Sequence, residues 1–491
     1  MNEFILPMKT KLLLLLLSFV LIIPQLKAEK EHYKIEIKVE GLTDSVAYLA
    51  YYFGKGQYYR DTANIDDKGW YVFESNDTLE HGMYSFVADN SKLFDFMVDV
   101  QEIVIQTDLE NTIQNIKFEG GKENQLFFEY MSFLNEKQLE ASAIEEEKKE
   151  SEGKKLDDLN MKMTALDNEV KTFIDKFHEK YDGSFSSNFL KALAYPEVPE
   201  PPLNEDGSVD STFTFRYFKD HFWDDYDFSD QRLLHTSTYH EKLKYFLSKL
   251  FIQNADSIIK AVDIVLEKAK VNEQMLKYTL TYLTSKYERI QQMGMDAVFV
   301  HLVKKYYMKG VADDWLDDKQ LNKLAERALA LDPLLIGKKA PNIIVKDTSM
   351  SKYLELYDVK ANYTVVYIWS ATCGHCKVAT PKLKKVYDQY KQYGFEVFGV
   401  GSEFENKEWL EFIRKHELNW LNGSDGSAYK SNFRTTYDVY STPQTYLLDK
   451  DKKILAKKMN IFSLENILRY YLENDGIELG DPILKNDENS K

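Results

Sequence analysis

The chain has 491 residues, more than one hydrophobic core usually spans, so two or three domains are expected. Hydrophobic residues make up 44% and aromatic residues 14% of the chain, a composition that excludes wholesale disorder. The formal net charge of −16 argues against nucleic-acid and anionic-membrane partners, because both would select a basic surface.

An apolar segment near the N-terminus has the pattern of an export signal. Lys9 and Lys11 precede an apolar run from Leu12 to Ile23, which Pro24 ends. This run is too short to span a bilayer comfortably, but it fits the core of a signal peptide. We therefore expect residues 1–28 to be a signal peptide and the mature protein to lie in the periplasm. An uncleaved membrane anchor is the less favoured alternative.

Residues 31–122 predict an antiparallel, sandwich-like β domain. Apolar and polar residues alternate strictly from His32 to Glu40, which is typical of a strand with one buried face. Turn-forming segments separate the apolar runs that follow. These runs cover residues 45–53, 69–74, 83–88, 94–100 and 103–107.

Residues 123–333 predict an all-α domain. The segment 124–181 is rich in Glu, Lys, Leu and Met and contains few strand formers. Prolines and turn residues in 196–207 indicate a long irregular loop. Helical periodicity then returns and continues through Leu331, before Pro333.

Residues 337–478 alternate between strand and helix patterns, which predicts an α/β domain, and residues 479–491 form a polar tail. A buried strand leads into the cysteine motif, and a helix begins at the cysteines. The strands are expected at 364–370, 395–401, 445–448 and 454–458, and further helices at 407–416 and from residue 463.

The sequence contains two cysteines, Cys373 and Cys376, with Gly374 and His375 between them. Because the loop that they would close is so small, a bond between them would stabilise the fold little. Cys373 lies at the predicted N-terminus of a helix, where free amides and the helix dipole favour a thiolate. Cys376 lies one turn later and is expected to be more buried, in a position to resolve a mixed disulfide.

Three other functions are conceivable for a cysteine pair of this kind. A zinc site would need a second pair of ligands, which the sequence does not offer, so no metal is expected. A peroxidase of the peroxiredoxin kind would carry a lone attacking cysteine in a loop framed by proline and threonine. A degenerate domain with an inert disulfide is the strongest alternative and stays open.

Residues from about Gly337 to Gly476 resemble the thioredoxin superfamily, and more specifically the TlpA-like disulfide reductases of bacterial envelopes. Three landmarks carry the resemblance and occur in the family's order. They are Trp369–Lys377 with both cysteines, Pro381 in the helix that follows, and Ser441–Pro443. The resemblance implies a thioredoxin fold for this part of the chain. The two preceding domains resemble, more weakly, uncharacterised modules fused ahead of envelope thioredoxin domains.

The resemblance also implies a substrate platform. A cis peptide bond between Thr442 and Pro443 would turn the backbone of Thr442 toward Cys373. An extended substrate peptide could then pair with that backbone as an added strand. Trp369 is expected to share in substrate binding. No organic cofactor or metal is implied.

Three positions depart from the family pattern. Thr372 replaces the tryptophan that usually precedes the first cysteine. Ala379 stands where many TlpA-like reductases carry a glutamate, and Tyr367 where typical thioredoxins bury an aspartate. The proton acceptor for Cys376 therefore stays open, with Glu403 as one candidate.

The dipeptide Gly374-His375 is the one found in protein disulfide isomerases. A partial positive charge on His375 would stabilise the reduced thiolate and make the pair more oxidising. The exported family context favours a reductase instead. The sequence does not decide the direction of electron flow.

These observations predict an exported thiol–disulfide oxidoreductase, a reductase by family context, that acts on protein or peptide disulfides. A membrane-bound thiol donor is an expected partner, and the β and helical domains would select the client or dock that donor. The alternative is a substrate-binding or chaperone-like envelope scaffold with a vestigial or regulatory redox domain. The sequence does not indicate an oligomeric state.

Overall fold

The structure is a computed structural model that describes residues 32–89, 91–403, 406–427 and 430–484. The expected signal peptide, residues 1–28, and the end of the expected polar tail lie outside the described residues. Within those residues, no helix has both the length and the apolar character that crossing a membrane requires. The described chain forms two compact units. One runs up to Pro196 and includes Trp223–Glu241, and the other combines Glu197–Phe222 with everything from Lys242 onward.

Two β-sheets that share one apolar core lie in the first unit. Their strands are β1 (Tyr33–Glu40), β2 (Val46–Phe53), β3 (Gly56–Asn64), β4 (Tyr71–Ser75), β5 (Gly82–Ala88), β6 (Ser91–Val98), β7 (Glu102–Asp108) and β8 (Lys117–Glu119). One sheet has the order β4-β1-β7-β8 and the other β3-β2-β5-β6. Inward-facing residues of both sheets, such as Ile35 and Phe86, are fully buried in the shared core. The predicted β domain is thus present as a sandwich.

The sandwich differs from the expected antiparallel domain in two details. β1 and β7 pair in parallel. They are far apart in sequence, so no hairpin turn imposes the antiparallel direction. The sequence pattern also misses β3, an edge strand that pairs with β2 alone in its sheet. Its mostly half-exposed or exposed residues lack the alternation that reveals a strand with one buried face.

The predicted helices follow the sandwich and precede the last domain along the chain. Its helices are α1 (Glu123–Lys149), α2 (Lys154–Lys180), α3 (Phe185–Leu193), α4 (Phe213–Asp220), α5 (Thr238–Lys249), α6 (Ala255–Ala269), α7 (Glu273–Glu288), α8 (Asp296–Lys305) and α9 (Asp318–Leu331). Residues 194–212 form the irregular segment that their prolines predict. α9 begins with a capping box, in which the side chains of Asp317 and Gln320 each bind the other's backbone amide.

The last domain is built on one mixed β-sheet. Its elements are β9 (Ile344–Asp347), β10 (Tyr353–Glu355), β11 (Tyr363–Trp369), α10 (Gly374–Tyr390), β12 (Phe395–Gly401), α11 (Asn406–Lys415), β13 (Leu421–Ser424), α12 (Asn432–Thr436), β14 (Gln444–Leu448), β15 (Ile454–Lys457) and α13 (Ile461–Asn474). The strand order is β10-β9-β13-β12-β11-β14-β15. β11 is parallel to β12 and antiparallel to β14. This is the α/β thioredoxin-like fold expected from the sequence.

β11 positions the site because it is buried on both faces. All of its residues are buried, as expected of a strand with helices on either side of the sheet. Val365, Tyr367 and Trp369 pack into the core that contains α10 and α13. Val366 and Ile368 pack into the core on the opposite face. The strand therefore holds its carboxyl end, where the cysteine motif begins, in a fixed place.

Candidate active site

The candidate site lies where β11 turns into α10. Cys373 is the N-cap residue of α10 and has an extended backbone. The turn before it is closed by the Cys373 amide, which donates to the carbonyl oxygen of Ser370 at 3.3 Å. The first-turn amides of a helix have no partner within that helix and carry a partial positive charge. The cysteine thus stands at the strand–turn–helix position that the sequence predicted.

The segment Thr442–Pro443 faces Cys373. The peptide bond between these two residues is cis, as expected from the sequence. The Cys373 thiol donates a hydrogen bond to the Thr442 carbonyl oxygen at 3.2 Å. The structure therefore brings Cys373 to the Thr442–Pro443 segment that the sequence singled out, although 69 positions separate Cys373 from Thr442.

The two cysteines differ in exposure and in pKa. Both are free thiols, with Cys373 partly exposed and Cys376 buried. Burial alone would raise the pKa of Cys373. Hydrogen bonds from the Thr442 side chain and from the amides of Cys376 and His375 outweigh this effect, and the pKa lies below its ordinary value. Burial raises the pKa of the Cys376 thiol to about 12. Near neutral pH, Cys373 is thus the better nucleophile and Cys376 holds a proton.

Gly374 and His375 form the exposed first residues of α10. An added Cβ at Gly374 would meet nothing within 4 Å, so this part of the surface is open. The His375 amide is one of the groups that lower the pKa of Cys373. The backbone of His375 therefore helps to stabilise the negative charge on the Cys373 sulfur.

The position of Trp369 differs from the substrate contact expected from the sequence. Its side chain is fully buried. The ring lies 5.3 Å from that of Phe412 and 6.3 Å from that of Trp409, measured between centroids. Because it has no exposed surface, it cannot touch a client in this arrangement. It packs beneath the cysteine motif and supports β11 instead.

Glu403 is the carboxyl group that the fold brings to the cysteine-bearing turn. It follows β12, is 8% exposed, and its Oε1 accepts a hydrogen bond from the Ala371 amide. Its other oxygen is buried without a hydrogen-bond partner among the described residues. Burial raises the pKa of this carboxyl. The neighbouring Ser370 amide donates to the Cys376 sulfur at 3.5 Å, so a single turn binds both groups.

Sequence reasoning missed the ion pairs that hold the loop before Pro443. The carboxylate of Asp438 binds the Arg327 guanidinium of α9 and the Lys458 ammonium. The Asp438 side chain is 3% exposed, and its backbone has a positive φ of 51°. No local pattern could have revealed the link to Arg327, since 111 positions separate the two residues.

The site offers no cluster of metal ligands. Among the residues that the structure describes, no group of three or more His, Cys, Asp or Glu side chains could hold a metal ion.

Three segments of the chain match family models. Residues 336–457 match the AhpC/TSA family. Residues 144–331 and 33–127 match two different domains of unknown function, DUF5106 and DUF4369. Of the three matched segments, only the AhpC/TSA segment contains the candidate site, because both cysteines lie in it.

Several known proteins are similar to the C-terminal part. A thiol-disulfide oxidoreductase ResA from Bacillus thuringiensis subsp. konkukian is 30% identical over 124 residues, which are 25% of this chain and 68% of the relative. The thiol:disulfide interchange protein DsbE from Pseudomonas aeruginosa is 27% identical over 144 residues, 28% of this chain and 75% of the relative. The solved domain of a possible thiol-disulfide isomerase from Cytophaga hutchinsonii is 40% identical and has a TM-score of 0.27. That match covers 30% of this chain and 99% of the domain.

The Thr442 hydroxyl gives a direct test of how the sulfur is activated. Thr442→Val keeps the shape of the side chain but removes its hydrogen bond to Cys373. The pKa of Cys373 should rise, and alkylation by iodoacetamide at pH 7 should slow by about 3- to 10-fold, since one pKa unit changes the thiolate fraction about tenfold. Buried Cys376 contributes little to this rate.

Thr436→Val is the matched control, because the Thr436 hydroxyl binds the Asn432 carbonyl within α12 at 2.9 Å. Its alkylation rate should equal that of the unmodified protein. An unchanged rate in Thr442→Val would show that this hydroxyl does not stabilise the thiolate.

Proposed function

The chain belongs to the family of thioredoxin-like thiol–disulfide oxidoreductases, and from this premise we propose that it reduces disulfides of exported proteins through Cys373 and Cys376. The observation that carries the proposal is the state of Cys373. Its sulfur is partly exposed, has a lowered pKa, and lies 3.2 Å from the Thr442 carbonyl oxygen. A reactive cysteine needs this combination of access and thiolate character.

Reduction proceeds in two exchange steps. The Cys373 thiolate attacks one sulfur of the client disulfide, the client S–S bond breaks, and the other client sulfur leaves as a thiolate that takes up a proton. Cys376 then gives up its proton and attacks the Cys373 sulfur. The mixed disulfide breaks, the second client thiol is released, and a Cys373–Cys376 disulfide remains. The client gains the two electrons that the cysteine pair loses.

The backbone of Thr442 and the Pro443 ring form the client platform. An extended client segment pairs with the Thr442 amide and carbonyl as an added strand, which brings its disulfide to Cys373. Exposed Gly374 leaves room for the client beside the sulfur. A protonated His375 would stabilise the thiolate and so set the potential of the pair.

Glu403 is the proton acceptor for Cys376. A thiol with a pKa of about 12 must lose its proton to a base before it attacks at neutral pH. The Glu403 carboxyl is bound to the same turn as the Cys376 sulfur, and burial raises its pKa above that of an ordinary carboxyl. It replaces both of the family's usual acceptors, whose positions are occupied by Ala379 and Tyr367.

A reductase in the periplasm needs a supply of electrons. Residues 1–28 direct the chain to the periplasm, where a membrane-bound thiol donor reduces the Cys373–Cys376 disulfide after each turnover. The β sandwich and the helical region select the client or dock that donor. Nucleic acid is not a partner, because the net charge of −16 opposes binding to phosphates.

The two cysteines should give opposite results in a trapping experiment. The Cys376→Ser variant should accumulate a covalent mixed disulfide with insulin through Cys373, because the resolving thiol is missing. Cys373→Ser should form no adduct and should reduce insulin no faster than the uncatalysed background. Non-reducing electrophoresis and mass spectrometry would identify the adduct.

The direction of electron flow is measured by equilibration of the unmodified protein with glutathione buffers. A reductase should have a potential nearer the value of about −270 mV known for thioredoxin than the −180 mV or so of protein disulfide isomerase. An isomerase-like potential would replace the reductase assignment with an oxidising one. Full insulin reduction by Cys373→Ser would end the redox assignment altogether.

Substitution of Glu403 should slow only the second exchange step. In Glu403→Gln, release of the client from the mixed disulfide should be at least about 10-fold slower. This factor is smaller than the rate enhancement of about 10²- to 10⁴-fold that a positioned general base typically supplies. In the unmodified protein the release rate should increase as pH rises through the raised pKa of Glu403, since the carboxyl must be ionised to accept a proton. This pH dependence should disappear in the variant, as followed by acid-quenched time courses.

The matched control is Glu408→Gln, an exposed carboxyl on α11. It should leave the release rate and its pH dependence unchanged. Alkylation of Cys373 should also be the same in both variants, because Glu403 acts on Cys376. A Glu403→Gln protein with the unmodified pH profile would rule out this role.

A further inference from the structure

A cavity of about 540 Å³ lies at the turn between β14 and β15, within the second unit. This volume is in the range of about 300–1,000 Å³ that is typical of ligand sites. The cavity is lined by six residues, which are Lys339, Tyr357, Lys450, Asp451, Lys452 and Lys453.

The cavity is separate from the redox site. The Lys452 ammonium donates to the hydroxyl of Thr364, near the start of β11, whereas the cysteine motif follows the end of that strand. At a rise of about 3.3 Å per residue, Trp369 at the far end of β11 lies about 17 Å from Thr364. A ligand in the cavity therefore does not compete with a client disulfide at Cys373.

Positive charge dominates the lining of the cavity. Four lysines and a single carboxylate, that of Asp451, line it, although the whole chain has a net charge of −16. None of the four ammonium groups forms an ion pair with a residue that the structure describes. Because like charges repel, an anion bound among them would stabilise the cluster.

Lys452 is the buried member of this cluster. The residue is 3% exposed, and its ammonium donates one hydrogen bond among the described residues, to the Thr364 hydroxyl at 3.2 Å. An ammonium group can donate three. Burial lowers the pKa of Lys452, and the nearby carboxylates of Asp449 and Asp451 do not offset this effect. Since a buried cation without a paired anion is unfavourable, Lys452 points to an anionic ligand beside it.

The backbone holds Lys452 in a conformation that lysine rarely adopts. Its φ is 65°, in the left-handed region that favours glycine and asparagine. The carboxylate of Asp449 fixes the turn, because its Oδ1 accepts hydrogen bonds from the amides of Asp451 at 2.9 Å and Lys453 at 2.8 Å. A lysine at a strained turn position, with its side chain buried, is consistent with a functional role for that side chain.

The lysines on the two sides of the cavity are held in place. Lys339 and Lys453 form an antiparallel β-bridge, and the Ala340 amide donates to the Lys452 carbonyl at 2.8 Å. The Lys339 ammonium lies 4.2 Å from the centroid of the Tyr357 ring. The Tyr357 hydroxyl in turn donates to the Ala340 carbonyl at 2.8 Å. The cavity is therefore formed before any ligand binds.

We propose that this cavity binds a phosphate group. Near neutral pH a phosphate group carries about −1.5 to −2 charges and several acceptor oxygens, so it balances the excess of lysines better than one carboxylate would. Lysine binds phosphate as a point charge, without the planar fork that arginine provides. The group belongs either to a solute or to the headgroup of an anionic lipid. This site is independent of the proposed reductase function.

Calorimetric titration of the unmodified protein with inorganic phosphate, at pH 7.5 and constant ionic strength, should show saturable binding. Lys452→Met retains an unbranched side chain but removes its charge, so the Kd should increase by about 10-fold or more, as expected for the loss of one charge-assisted hydrogen bond. Lys339→Gln changes an exposed residue and should increase the Kd by about 3-fold or more. Circular dichroism would verify that both variants fold.

The matched control is Lys346→Gln. The Lys346 ammonium also lies over a tyrosine ring, 6.0 Å from the centroid of Tyr353, but this lysine does not line the cavity. Its Kd for phosphate should equal that of the unmodified protein. The same Kd in all three folded variants, or binding that chloride at the same ionic strength abolishes, would overturn the site.

Vesicles distinguish the two sources of the phosphate group. If the group belongs to a lipid, the unmodified protein should sediment with equimolar phosphatidylglycerol and phosphatidylcholine but not with phosphatidylcholine alone, and Lys452→Met should sediment less. Phosphate binding without sedimentation would identify a solute. The absence of both, or sedimentation that neither cavity variant weakens, would overturn the site. None of these measurements involves the cysteines, so such a failure would leave the proposed reductase function intact.

Discussion

The reactivity of Cys373 depends on the hydrogen bonds that converge on its sulfur. Amides at the start of α10 and the Thr442 side chain donate toward it, and these contacts outweigh the effect of burial on its pKa. Cys376 lies one turn further along the same helix, where burial and, to a smaller extent, the neighbouring Cys373 raise the pKa of its thiol to about 12. This difference in environment over three residues supports the roles that we propose, in which Cys373 attacks the client disulfide and Cys376 resolves the mixed disulfide.

The fold produces this difference through the place of β11 in the sheet. Because β11 is parallel to β12 and antiparallel to β14, the end of β12 and the start of β14 meet at the edge where the cysteine turn begins. Glu403, which follows β12, and Thr442–Pro443, which precede β14, both lie at that edge. The ion pair between Arg327 and buried Asp438 connects α9 to the loop that precedes Pro443.

Local patterns in the sequence predicted much of this arrangement. The apolar run of β11, the helix that follows it and the position of Cys373 are all signals contained within a few neighbouring residues. The short strand β13 has the sequence LNGS, which carries no β signal, and only its neighbours in the sheet make it a strand. Trp369 was expected to share in substrate binding but is buried, because it packs against Phe412 and Trp409 of a helix that lies further along the chain. The pairing of Arg327 with Asp438 likewise arises only from tertiary packing.

The most direct test of the central claim is a pH titration of thiolate absorbance near 240 nm, made on the reduced protein and on Cys373→Ser. The reduced protein should show one thiol ionisation with a pKa below the ordinary cysteine value of about 8.5, and Cys373→Ser should lack it. A second thiol ionisation should occur only well above that value. Two ionisations near 8.5, or a low one that survives the loss of Cys373, would contradict the claim that this sulfur is the one held as a thiolate.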